Sequence, residues 1–257
     1  MRALYFLPLL LLPVWGADSK EPSETEIKEI INKFANKESD FAKARERYTY
    51  RQTVKMHELD DRGNVTGKWE FVADVLFSAN GKRTERIVRA PVPTLKLIIT
   101  PEDEADLRNV QPFVLTSKDI DKYDVRYIGR EKLDEISCYT FSVKPKKLEH
   151  GQRYFQGQVW VDDKDLQIVK SYGRGVGYQK KSSDQQFPKF ETYREQIDGK
   201  FWFPTYTIAN DTLVFKDSSQ RIRMSVKYED YKYFGADVKV TFGEAVEPAK
   251  PAVPKKP

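Results

Sequence analysis

Only two histidines occur in the 257 residues. His57 stands beside Glu58 and Asp60, and His150 lies in a Glu149-His150-Gly151 turn. No histidine pair has metal-ligand spacing, so a zinc site is not expected. The lone cysteine, Cys138, sits within Ile136-Ser137-Cys138-Tyr139-Thr140-Phe141, a strand-like run, which predicts a core or face position rather than a nucleophile. A single cysteine also leaves no internal disulfide. Asp162, Asp163 and Asp165 lack the glycine and distal glutamate of a calcium loop and read as a solvated hairpin turn. Gly173-Arg174-Gly175-Val176-Gly177 follows a strand, but Tyr178-Gln179-Lys180-Lys181-Ser182-Ser183-Asp184 comes next and no apolar helix does. The phosphate cradle of a dinucleotide loop needs that helix N-terminus. Carboxylate pairs, the requirement of glycoside hydrolysis, abound by chance in so acidic a chain. Asn64-Val65-Thr66 and Asn210-Asp211-Thr212 are glycosylation acceptors only in a eukaryotic secretory host. The residues therefore predict no catalytic group, no metal and no cofactor, and function must be sought in a surface.

That surface is aromatic. Phe, Trp and Tyr make up 13% of the chain and recur at alternate positions of strand-like segments. Tyr48, Tyr50, Gln52, Val54 and Met56 share one face of a first strand, with a turn at Asp60-Asp61-Arg62-Gly63-Asn64. Trp69, Phe71, Ala73, Val75 and Phe77 share one face of the return strand, and an Asn80-Gly81 turn leads to a third strand, Arg83–Val88. Further strands are expected at Tyr123–Arg130, Ile136–Lys144, Tyr154–Val161, Leu166–Arg174, Phe190–Ile197, Phe201–Ala209, Leu213–Phe215 and Arg221–Phe234. Turns are expected at Leu133-Asp134, Asp162-Asp163, Asp198-Gly199 and Asn210-Asp211. So many strands must curl or close rather than stay flat.

Two helical segments interrupt the meander. Ser23-Glu24-Thr25-Glu26 is a capping box, and Ile27, Ile30, Ile31 and Phe34 fall at helical spacing on one stripe, with Phe41, Ala42 and Ala44 extending the helix. Within Ala90–Ile120, Pro91 and Pro93 stop strand pairing and Thr100-Pro101-Glu102-Asp103 begins a helix. This insert is read either as a helical lid over the sheet or as an ordinary packed connection.

The chain opens MRALYFLPLLLLPVWGADSK, a minimal charged n-region and an apolar run too short for a bilayer. Residues 1–16 are read as a secretory signal peptide cleaved after Gly16, which takes the formal charge from +5 to +4 and implies a soluble periplasmic product. Residues 17–243 form one domain and 244–257 a proline- and lysine-rich disordered tail. Charges of both signs are interspersed, which argues against a nucleic-acid footprint and permits a modest bias toward anionic partners.

Tyr127-Ile128-Gly129-Arg130-Glu131 through Cys138 to Lys146, Phe155-Gln156-Gly157-Gln158-Val159-Trp160-Val161-Asp162 and Leu166-Gln167-Ile168-Val169-Lys170 carry a family likeness. With Phe190-Glu191-Thr192-Tyr193-Arg194 and Gly199-Lys200-Phe201-Trp202-Phe203-Pro204, the chain resembles the LolA-like outer-membrane lipoprotein-sorting proteins. The resemblance implies a mainly β fold with α: a curved antiparallel sheet forming an unclosed half-barrel, with an N-terminal helix and a helical lid on its concave face. It further implies a monomeric periplasmic carrier of lipoprotein acyl chains or lipid, with an inner-membrane donor and an outer-membrane acceptor as candidate partners and no covalent chemistry. The expected lipid-facing set is Trp69, Phe71, Val75, Phe77, Phe141, Val143, Val159, Ile222, Met224 and Val226, with Ile27, Ile30, Ile31 and Phe34 closing the cavity from the helix. An envelope sensor or protein-interaction module on the same scaffold is the alternative, and an envelope-polymer hydrolase a distant third.

Overall fold

The capping box at Ser23 forms as its spacing requires: Ser23 Oγ accepts from the Glu26 N–H, and the Glu26 carboxylate accepts from the Ser23 N–H. Behind it α1 runs from Glu24 to Arg45, with Glu24 and Glu26 in its first turn and Lys43 and Arg45 in its last, both signs complementing the helix dipole. The computed structural model describes residues 21–78, 81–178 and 187–234. The expected signal peptide and tail, the Asn80 half of the Asn80-Gly81 turn and Gln179–Asp184 lie outside these residues.

Strands β1 (Tyr48–Leu59), β2 (Val65–Phe77) and β3 (Arg83–Arg89) form the first meander. The insert follows, and then β4 (Tyr123–Leu133), β5 (Ile136–Pro145), β6 (Arg153–Asp162), β7 (Ile168–Gly177), β8 (Phe190–Ile197), β9 (Phe201–Val214) and β10 (Ser219–Tyr233). They form one antiparallel sheet in the order β3-β2-β1-β10-β9-β8-β7-β6-β5-β4. The two meanders join where β10 returns beside β1, with Val54 opposite Val226 and Met56 opposite Met224. Among the described residues strands β3 and β4 end the order as unpaired edges, so the sheet does not close into a barrel. Register shifts at Thr49/Arg51, Tyr127/Gly129 and Tyr193/Arg194 bend individual strands. Asp198 and Gly199 both stand at positive φ, 55° and 65°, in the three-residue link between paired Ile197 and Phe201.

Two local expectations are corrected. The two strands expected at Phe201–Ala209 and Leu213–Phe215 are one, β9, ending at Val214, because β10 pairs straight through the supposed turn, with Asn210 opposite Arg223 and Asp211 opposite Ile222. The Asp211 carboxylate instead accepts from the Lys189 and Thr212 N–H groups. Leu166 does not begin a strand: it sits at φ 53° in the turn after Asp162, and pairing resumes at Ile168. Gly173–Gly177 is part of β7 and not a phosphate loop.

The apolar stripe of α1 fills part of the concave face. Phe34 meets Phe141 of β5 at 5.3 Å between centroids, and Phe41 meets Phe203 of β9 edge-on at 5.1 Å. Behind the insert, facing Gly157 and Gly173 leave no side chains between β6 and β7, and the Phe155 ring lies against both. Phe113 of the insert stacks on Phe155 at 4.3 Å. The insert is thus built on an aromatic seat that two glycines make room for.

Candidate functional site

The insert is helical only in short pieces, α2 (Pro101–Ala105), a π-helical turn (Asp106–Val110) and a 3-10 turn (Ile120–Lys122); the rest is irregular backbone. Irregular backbone needs hydrogen-bond partners, and buried side chains of the sheet and helix supply them. Glu58 Oε1, fully buried at the end of β1, accepts from Lys96 N–H at 2.9 Å and Leu97 N–H at 2.7 Å. Gly67 on β2 makes this approach possible, since a Cβ there would stand 2.5 Å from Glu58 Oε2. Thr100 and Asp103 cap α2 reciprocally. The Asp106 carboxylate takes a two-pronged hold from Arg153 of β6, at 2.8 and 2.6 Å, over Gly175. Thr192 Oγ1 donates to Gln111 O at 2.8 Å. Arg194 of β8 donates to Phe113 O and grips Glu38 of α1 at 3.1–3.3 Å, while Glu38 also accepts from the Ile168 N–H. The insert is therefore tied to α1, β1, β6 and β8 along its length.

Between this tied insert and the ends of β1, β2, β8, β9 and β10 lies a cavity of about 880 Å³. Such a volume falls within the roughly 300–1,000 Å³ of small-molecule sites. Its walls are mainly apolar: Met56, Trp69, Leu97, Ile99, Leu107, Phe190, Leu213, Phe215 and Met224 all face it. Lys96, Glu102, Asp103 and Ser218 to Gln220 add polar groups to the lining. Burial pushes the Asp103 and Asp106 carboxyls above the ordinary range, in Asp106 against the pull of Arg153. Deep in the wall, buried Gln111 has an amide oxygen without a hydrogen-bond partner among the described residues. Its amide nitrogen donates to Met224 Sδ at 3.7 Å.

Of the expected lipid-facing residues, Trp69 and Met224 line this cavity. Phe141, Val143, Val159, Ile222 and Val226 are at most 2% exposed and pack with Phe34 in the main core, and Val75 is fully buried outside that cluster. Phe71, Ile27, Ile30 and Ile31 are half-buried against the same core. Phe77 stands apart, in a second, smaller cavity beside Phe41 and Arg83. The structure therefore gathers most of the set on one concave face but divides it between solid core and open space. The insert contributes the lining that periodicity missed, because Leu97, Ile99 and Leu107 belong to no repeating pattern.

The groups considered for chemistry lie elsewhere. Cys138 is 1% exposed and burial pushes its thiol up to about 12, where a thiolate is not accessible near neutrality. His57 is lowered by burial and by Lys68 and Arg223, and His150 stacks on Tyr178. Asp162 caps its own turn by accepting from the Asp165 N–H at 2.8 Å. Among the described residues no cluster of His, Cys, Asp or Glu could hold a metal, and no helix is long and apolar enough to cross a membrane.

No family model and no curated protein matches the chain. Solved structures do resemble it. A DUF1329 family protein from Desulfovibrio piger shares 17% identity over 84% of this chain and 95% of its own, with a TM-score of 0.46. An outer-membrane lipoprotein-sorting protein domain from Vibrio parahaemolyticus shares 12% over 79% and 93%, at 0.36. A LolA superfamily protein from Nitrosomonas europaea shares 12% over 78% and 94%, at 0.35. Likenesses this distant carry neither a ligand nor an activity across to this chain.

Proposed function

We propose that the protein is a periplasmic carrier that holds the acyl chain of a lipid or lipoprotein in the insert-covered cavity and passes it toward the outer membrane without covalent chemistry. The observation that carries the reading is the cavity of about 880 Å³, walled mainly by apolar side chains with a few polar residues, Lys96, Glu102 and Gln220 among them. An acyl tail fits such a lining, with methylenes inside and the ester or amide end toward the polar residues. Each buried methylene contributes about 0.8 kcal/mol, so about ten give roughly 8 kcal/mol. That gain must exceed an association cost of at least about 4 kcal/mol, which leaves room for useful but reversible affinity. Reversibility is what a carrier needs.

Phe215 and Trp69 are half-buried cavity residues, so Phe215→Asp and Trp69→Asp place a charge in the cavity while leaving the closed core intact. Titration with a fluorescent fatty acid is expected to show saturable binding by the unaltered chain and at least tenfold weaker binding by both variants. Equal affinity in folded variants contradicts the acyl site.

A further inference from the structure

On the opposite side of the π-helical turn a smaller cavity, about 180 Å³, is lined by Arg45, Arg83 and Arg108 together with Glu46, Tyr50 and Tyr231. We propose that it binds an oxyanion of the phosphate class. Guanidinium groups from the end of α1, the start of β3 and the π-helical turn converge here, although they are far apart in sequence. Two of them are partly committed. Arg83 donates to Glu85 and to Gln52 Oε1, and Arg108 to Glu85 at 3.3 Å and Glu104 at 2.9 Å. Donors remain. The Arg83 Nε–H is buried without an acceptor among the described residues. Arg45 is half-buried and makes no hydrogen bond or ion pair among them. Its nearby carboxylates offset its charge without bonding it: Glu38 is held by Arg194, and Glu46 shares the cavity wall beside Gly81.

Leaving a guanidinium desolvated and unpaired is costly, and a bound anion removes that cost. The Arg45 fork, the Arg83 Nε–H and the remaining donors of Arg108 around one small space suit a tetrahedral acceptor with several oxygens better than a carboxylate, which satisfies a single fork. The volume lies below that of ordinary ligand pockets, so it admits a compact group and not a second acyl chain. A phospholipid headgroup and free phosphate both supply this chemistry. The site is independent of acyl binding, but one turn separates the two spaces: Leu107 and Gln111 face the large cavity, and Arg108 and Pro112 face the small one.

The test is calorimetric titration of the full protein at low ionic strength with inorganic phosphate and, separately, with dihexanoyl phosphatidic acid. At least one is expected to bind saturably, and Arg45→Gln is expected to weaken it at least tenfold without lowering the melting temperature of the unliganded protein. Arg108→Gln, at a more exposed position, is the second variant with the same expected loss. Binding of phosphate assigns the site to a free anion, and binding of the lipid alone assigns it to a headgroup. Saturable binding of neither probe, or unchanged affinity in both variants, overturns the proposal.

Discussion

Replacing Arg194 by Met strands the Glu38 carboxylate inside the protein. Glu38 has no exposed surface and Arg194 is 5% exposed. The guanidinium reaches both carboxylate oxygens, donates to Phe113 O and lies 4.9 Å from the Phe41 ring centroid. Truncating one member of a buried pair costs about 3–5 kcal/mol because the other charge stays desolvated. At about 2–4 °C per kcal/mol for a chain of this size, the melting temperature should fall by roughly 6–20 °C. Removing both charges, as Glu38→Leu with Arg194→Met, should recover most of that loss. The pH dependence has a definite sign. Burial already holds the Glu38 carboxyl above its ordinary 4.5, against the pull of Arg194, and loss of Arg194 raises it further. A carboxyl raised in the folded state favours folding fully below its unfolded value and loses that contribution as pH climbs through the folded one. The deficit of Arg194→Met is therefore smallest at or below pH 4.5 and grows toward neutrality. Urea unfolding followed by tryptophan fluorescence at several pH values measures it. A single variant within about 1 kcal/mol of the unaltered protein at neutral pH, the worth of a surface pair, refutes the reasoning, as does a double variant no more stable than the single.

Other expectations concern the insert and its seat. In Gly157→Ala the new Cβ would stand 2.1 Å from Tyr172 O and 2.6 Å from Gly173 Cα. It should cost at least the ~1–3 kcal/mol of ordinary overpacking, read as a lower urea midpoint. Gly175→Ala places a Cβ 1.9 Å from Asp106 Oδ2, so it should displace the insert and weaken fatty-acid binding about tenfold, or ~1.4 kcal/mol. Unchanged affinity there would show that the Asp106–Arg153 tie does not shape the cavity. Cys138, with its thiol pushed up to about 12, should resist a disulfide reagent at mildly alkaline pH until the protein is unfolded. Rapid labelling of the native state contradicts its burial.

Much of the scaffold was legible because it obeys simple periods. The capping box and the stripe Ile27, Ile30, Ile31 and Phe34 placed α1, and alternation from Tyr48 to Met56 and from Trp69 to Phe77 placed the first hairpin face-on to the core. The ties of the insert were harder to read, yet they left a trace in the same periods. Glu38 falls four residues beyond Phe34 on the apolar stripe, Glu58 continues the inward phase of β1, and Arg194 shares a phase with Phe190 and Thr192. A charge standing in an apolar phase signals a buried partner. Asp106 carried no such mark, because its neighbours have no regular period and its partner Arg153 lies on a distant strand. The division between solid core and cavity was not legible at all. It depends on how far the side chains of α1 and of the insert fill the concave face, which no single segment encodes.

The central claim is that the space beneath the insert holds an acyl chain. Native mass spectrometry of the protein purified from its own cell envelope, followed by organic extraction, tests it most directly. A stoichiometric acylated species is expected, retained by the unaltered chain and lost from Phe215→Asp. A protein that carries no lipid and also fails to take up a fluorescent fatty acid contradicts it.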